Sequence, residues 1–214
     1  MKSVSAFRTR IAPRVPGCSD ALIDQAVLDA CIDFCGKSLV VKRMLDSFVT
    51  KPLQAIYDLD GANQQNIAQI MRVWVDSTEI TPLDEDGLPT PFGFVSSVPG
   101  QSNSGATPRF FNETEPNSIS LYPTPDKVYT LNMRVALKPT RTATQVEDQL
   151  FEDWVEVVMD GAFARLFAMP AQEFTSPALT KYHETQFEVG INAAMLQARR
   201  GNTRAQSRVT PVHI

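Results

Sequence analysis

"SLYPTPDKVYTLNMRVALKPT", residues 120–140, decides how the rest of the chain is read. Leu131, Met133, Val135 and Leu137 fall on every second position, with Val128 just ahead of them. That is the period of a half-buried β-strand, whose successive side chains point to opposite faces. Pro123, Pro125 and Pro139 fence the run. A proline cannot donate to a strand ladder, so it belongs at strand ends. The stretches that open and close the chain have a helical period instead. A proline-framed β-segment therefore interrupts a helical protein.

Moving outward, residues 48–141 share the β character. "SFVTKPLQAIYDL" and "NIAQIMRVWVDSTEITPL" predict strands. In the second, Ile70, Arg72, Trp74 and Asp76 alternate with Met71, Val73 and Val75. "LDGANQQN" (59–66) and "DEDGLPTPFG" (84–93) hold the Asp-Gly, Asn and Pro residues of turns. The uncharged "SSVPGQSNSGATP" (96–108) predicts a loop.

Three helical stretches flank this region. "CSDALIDQAVLDACIDFCGKSLVVKRMLD" has Ser19 or Asp20 as N-cap and Leu22, Ala26, Ile32, Cys35 and Leu39 as an imperfect stripe. Gly36 weakens it, so a bend or a break is expected. "TQVEDQLFEDWVEVVMDGAFARLFAMP" opens on a Thr144–Glu147 capping box and stops at Pro170. Leu150, Trp154, Val157, Val158, Ala162, Leu166 and Phe167 give it a wide apolar surface, and Gly161, Ala162, Ala164 and Ala168 permit close helix approach. In "TSPALTKYHETQFEVGINAAMLQARRGN", Ser176 caps, Pro177 takes the first helical position and Gly201 terminates. Its stripe is Leu179, Tyr182, Gln186, Phe187, Ile191, Ala194, Met195 and Ala198.

The fold class that follows is α+β. A helical bundle forms from the N- and C-terminal helices, with an inserted antiparallel β-rich domain and an extended C-terminal tail. The expected parts are 1–47 (N-terminal arm and first helices), 48–141 (β-rich insert), 142–201 (C-terminal helices) and 202–214 (tail).

Charge is unevenly spread along the 214 residues, whose net value is −4. Lys2, Arg8, Arg10 and Arg14 stand without an acid in residues 1–17, and Arg199, Arg200, Arg204 and Arg208 do so in residues 189–214. The remaining 12 basic residues face all 24 acids between 18 and 188. An acidic body thus carries two basic ends that can reach acidic partners. Asp148, Glu152, Asp153 and Glu156 form an acidic helix face, suited to basic residues of a neighbouring copy. The tail turns from basic to alternating Val209, Val212 and Ile214, a pattern that can add a strand to another chain.

Chemistry is sparse. There is no G-x-S-x-G elbow, P-loop, H-E-x-x-H or dinucleotide turn. His183 and His213 are the only histidines, and His183 reads as a helix-surface residue. "LDEDG" (83–87) lacks the later ligands of a calcium loop. Cys31 and Cys35 are four apart with no histidine nearby, and three cysteines make no disulfide framework. No catalytic, cofactor or metal residue is assigned, and the expectation is not an enzyme. No basic stripe with interleaved aromatics reads nucleic acid. No apolar run approaches the roughly 18–20 residues of a membrane span, and the N-terminus lacks a secretory apolar core, so synthesis in the cytoplasm is expected.

The order of parts resembles a known family. "RVPGCSDALIDQAVLDACIDFC", then "ISLYPTPDKVYTLNMRVALKPT", "FEDWVEVVMDGAFARLFAMP" and "SPALTKYHETQFEVGINAAMLQARRG" are similar to the head-to-tail adaptors, or connectors, of short-tailed bacteriophages of the podovirus kind. The resemblance spans roughly residues 11–205. It implies a structural virion protein made in the host cytoplasm and placed at the neck. Twelve copies would ring the channel below the portal protein ring, lengthen the path for DNA ejection and seat the tail tube or nozzle protein. Genomic DNA would pass without specific binding, since an acidic body avoids the counterion release that drives phosphate binding. Portal contact would fall to Arg204, Arg208, Val209, Pro211, Val212 and Ile214. Contact between copies would join Asp148, Glu152, Asp153 and Glu156 to Arg8, Arg10 and Arg14. The competing reading is a glycan- or peptide-binding module of a tail or capsid accessory protein, using Trp74, Tyr122, Phe92 and Phe94.

Overall fold

The computed structural model describes residues 1–59, 64–83, 105–113 and 115–201. The portions of the chain fall into two units, Met1–Val41 with Lys138–Ile214, and Lys42–Leu137. In chain order, the first unit opens with β1 (Lys2–Ser3), a 3₁₀ turn over Val4–Phe7, α1 (Arg8–Ile11), a second 3₁₀ turn over Ala12–Arg14, and α2 (Asp20–Ser38). The second unit contributes β2 (Lys42–Met44), β3 (Phe48–Val49), β4 (Ile56–Asp58), β5 (Gln65–Val75), β6 (Thr78–Pro82), β7 (Phe110–Asn112), β8 (Ser118–Tyr122) and most of β9 (Thr130–Pro139). The first unit resumes with β10 (Gln145–Val146), α3 (Asp148–Glu152), α4 (Val155–Phe167) and α5 (Pro177–Arg200). The protein is thus α+β.

In the first unit, α2, α4 and α5 pack on one another. Ser19 caps α2, its side chain accepting a hydrogen bond from the Leu22 amide at 3.4 Å. The helix runs unbroken through Gly36, which lies near its end rather than at a bend. It stops at Ser38 because Leu39 adopts the left-handed conformation, φ 54°, and its amide closes on the Cys35 carbonyl. The helical expectation beyond residue 39 is therefore corrected: Val40 and Val41 are in no helix or strand, and 42–44 pair as a strand. The core face of α2 is Ile23, Ala26, Val27, Ala30, Cys31 and Phe34, whereas Leu22 of the expected stripe is exposed.

The capping-box expectation at Thr144 is also corrected. The Thr144 carbonyl accepts from the Val4 amide, and residues 145–146 pair with Ser3 and Lys2. The helix begins at Asp148, breaks at Asp153–Trp154 and restarts as α4. Each two-residue strand is too short to leave a period in the sequence. α5 has the caps read from its sequence: Ser176 accepts from the Leu179 amide, Pro177 opens it and Gly201 closes it.

Two glycines set how closely α4 and α5 approach. A Cβ on Gly161 would lie 2.7 Å from the Phe187 ring, and one on Gly190 would lie 2.4 Å from Val157. The helix surfaces are therefore in direct contact at these two points, where only hydrogen fits. Phe7, Phe34, Leu150, Phe163 and Leu166 of this unit are fully buried. Each such side chain contributes roughly 1.5–3 kcal/mol by its removal from water.

The second unit is one sheet in the order β2-β9-β5-β6-β7-β8-β4, with β3 also paired to β9. The β6/β7 pair is parallel; β2/β9, β3/β9, β4/β8, β5/β6 and β7/β8 are antiparallel. Leu131, Met133, Val135 and Leu137 of β9 are at most 1% exposed, while Val128 ahead of them is exposed. Along β5 the buried residues are Gln65, Ile67, Ile70, Val73 and Val75, so the alternation slips twice. Ile70 therefore joins Val73 and Val75 inside, instead of lying on the outer face with Arg72 and Trp74. A long strand twists, and no single face of it stays covered along its length.

Candidate interaction surfaces

The basic N-terminal arm is folded onto its own unit. Val4, Phe7, Ile11 and Val15 alternate with the charged residues and are buried. This positions Arg8 over α2, where Nε donates to Asp24 Oδ1 at 2.7 Å, Nη2 donates to Asp24 Oδ2 and Nη1 donates to Asp20 at 2.7 Å. Two carboxylates in a guanidinium fork are a strongly directional arrangement. The hydrogen bond with Asp24 raises the Arg8 pKa further. Arg10 lies 3.5 Å from Glu156 and over the Phe151 ring at 5.6 Å. Arg14 stacks on Phe163 at 5.2 Å, and Lys2 on Phe151 at 4.6 Å. The Met1 amine meets Asp148 at 2.8 Å.

Thus the four acidic residues and the arm's cations receive unequal treatment. Asp148 and Glu156 are engaged within the chain. Glu152 and Asp153 are exposed and make no ion pair among the described residues. Arg8 is fully occupied by α2, a contact that the sequence reading missed. The signal was present: Arg8 precedes a helix whose first turns hold Asp20 and Asp24, and a buried Phe7 fixes the approach.

His183 is a correction. It is 7% exposed rather than on the helix surface. Its Nδ1 lies 2.7 Å from Asp160 Oδ1 on α4, and its ring packs against Phe163, Phe167 and Tyr182. The polar pair satisfies both groups at the α4–α5 seam, as burial demands. On the other side of α4, Arg165 bridges Asp33 on α2 and donates to the Gly161 carbonyl at 2.6 Å. These pairs cross-tie the three helices. Neither is accompanied by a nucleophile.

Cys31 and Cys35 are buried in α2 as free thiols, and burial pushes Cys31 up to about 12 and Cys35 well above its ordinary value. Such thiols are packing groups, not ligands or nucleophiles. Among the described residues, no three His, Cys, Asp or Glu side chains converge to hold a metal ion, and no helix is long and apolar enough to cross a membrane. The "LDEDG" turn lies outside the described residues, apart from Leu83.

In the second unit the polar centre is Tyr129. Its amide donates to Thr50 Oγ1 at 2.9 Å, and its hydroxyl donates to Asp126 at 2.6 Å and lies 2.7 Å from Thr107 Oγ1. The Tyr129 hydrogen bond holds the Asp126 carboxyl below the usual carboxylate range. Gly105 is required beside it, since a Cβ there would lie 2.6 Å from the Asp126 backbone. A cleft lies along Asp76, Glu79, Arg109, Phe110 and Tyr129. Of the aromatics proposed to bind a ligand, Trp74 and Tyr122 do not line this cleft, and Phe92 and Phe94 lie outside the described residues. The tail residues Arg204, Arg208, Val209, Pro211, Val212 and Ile214 lie outside them too.

The helical unit is tied together by cross-helix pairs, the sheet unit has a polar cluster around Tyr129, and Glu152 and Asp153 are left exposed. A search of curated proteins found no match. The family model described as SU10 adaptor protein matches residues 3–212, nearly the whole chain, and the chain belongs to that family of bacteriophage structural adaptors.

Proposed function

We propose that the protein is a ring subunit of the virion neck in a short-tailed phage. Twelve copies dock below the portal ring, extend the DNA channel and present a platform to the tail tube or nozzle. The family match over residues 3–212 carries this reading. The cross-tied helices supply the rigid body that a repeated subunit needs, and a ring requires a patch on one copy to meet a different patch on the next. The acidic residues Asp148, Glu152, Asp153 and Glu156 are one such patch; within the chain Arg10 reaches Glu156, while Arg8 is held by Asp20 and Asp24 and Arg14 stacks on Phe163. Portal contact falls to the basic-then-apolar tail, through Arg204, Arg208, Val209, Pro211, Val212 and Ile214. Many weak tails acting together bind far more tightly than one. The acidic body keeps the genome from being gripped as it passes.

The test is deletion of residues 202–214. The truncated chain is expected to fold normally and to fail to join DNA-filled heads, as seen by electron microscopy of the mixture with the portal. Full attachment of the truncated form overturns the role of the tail. A wild-type chain that forms no ring on portals overturns the neck assignment.

A further inference from the structure

Helix α5 carries two apolar stripes. The buried one, which includes His183, Phe187, Ile191 and Ala194, faces its own unit. The second is Leu179, Tyr182, Val189 and Leu196, which are 44, 57, 59 and 53% exposed, with exposed Gln186 and Ala193 in the intervening places. These positions step by three, four, three, four and three, the heptad spacing by which one helix meets another. At about 100° per residue, the second stripe lies roughly 130° around the helix from the first. The helix cannot bury both against the same body. Isolated exposed apolar residues need no explanation, but a register of them along one line marks a contact surface.

Charge points to the occupant. Arg199 and Arg200 close α5, are exposed, and make no ion pair among the described residues. Glu152 and Asp153 are exposed and unpaired in the same sense. Glu156 is 76% exposed and reached by Arg10 only at 3.5 Å. Each copy therefore offers a basic helix end and an acidic helix turn that it does not join to each other. We propose that the outer stripe of α5 docks on a second copy of this chain, with Arg199 and Arg200 meeting Glu152 and Asp153 of the neighbouring copy. The contact is heterologous, since the two patches differ, and such contacts propagate around a ring. This inference rests on the ring reading above and names the surface that builds it.

The experiment is sedimentation velocity of the full chain over a concentration series, with thermal melting followed alongside. Val189→Glu with Leu196→Glu is expected to weaken self-association at least tenfold at unchanged melting temperature. Leu196→Ser, a milder change at an exposed site, should weaken it in the same direction. Arg199→Glu with Arg200→Glu should weaken it too, and adding Glu152→Arg with Asp153→Arg should restore it. Association of the stripe variants at the wild-type level overturns the inference and leaves the ring to another surface. Failure of the charge exchange to restore association overturns the pairing of these two patches. A wild-type chain that stays monomeric throughout also overturns the inference, while rings seen on portals would still support the neck assignment.

Discussion

The two units are held by different physics. In the first, specificity comes from apolar contact at close range: Gly161 under Phe187, Gly190 under Val157, and the Phe7 and Ile11 side chains of the arm sealed against the helices. In the second, the sheet's apolar alternation is anchored by a polar cluster, with Tyr129 touching Thr50, Thr107 and Asp126. The lesson is that close approach of helices is set by side-chain size, whereas the loops of a sheet can be set by a shared polar cluster. Steric substitutions at Gly161 and Gly190 should then test the first, and removal of the Tyr129 hydroxyl the second.

The largest effect should come from Phe7→Ala. Phe7 is 0% exposed, and truncating a buried phenylalanine costs about 3–5 kcal/mol. Chemical denaturation of the variant measures it. A loss below about 1 kcal/mol would mean that the arm is an appendage rather than part of the helical unit, and would break the contrast. Next comes Gly190→Val. Valine must displace Val157, and overpacking of this kind costs about 1–3 kcal/mol. The same denaturation experiment should find the melting of the second unit, followed through Trp74, much less affected.

The smallest effect is the acid response of the second unit. The Asp126 carboxyl is held below its ordinary value of about 3.9, so its ionised form is favoured in the folded protein. The stability it adds is present above the unfolded value and is lost as the pH falls through the folded one. Tyr129→Phe removes the principal hydrogen bond. Asp126 should then titrate closer to its ordinary value, read by carboxyl NMR, and the loss of stability below about pH 4 should become shallower. An unchanged Asp126 titration would assign the acid response to other groups and sharpen the comparison differently.

Legibility in the sequence followed the range of the interactions. α5 was readable from Ser176, Pro177 and Gly201, because caps act within one turn. β9 was readable from its alternation, because Leu131, Met133, Val135 and Leu137 are all buried. β1 and β10 were not, since two residues have no period and each exists only by pairing with the other. The end of α2 was misread because a leucine, not a glycine, takes the left-handed cap. His183 was misplaced because its burial depends on α4 residues that sequence position does not bring near. Of the candidate surfaces, the acids at 148, 152, 153 and 156 read as one helix face, but the break at Asp153–Trp154 divides them between two helices and their junction. The clamp of Arg8 on Asp20 and Asp24 was not legible, because it depends on how the arm turns back.

The antiparallel pairing of Lys2–Ser3 with Gln145–Val146 has a consequence for synthesis. A ribosome releases the first of these segments long before the second exists. Meanwhile residues 42–137, contiguous and complete in themselves, can emerge and organise without waiting. Closing the first unit therefore waits for two segments about 140 residues apart to meet, whereas the second unit can form from one continuous stretch.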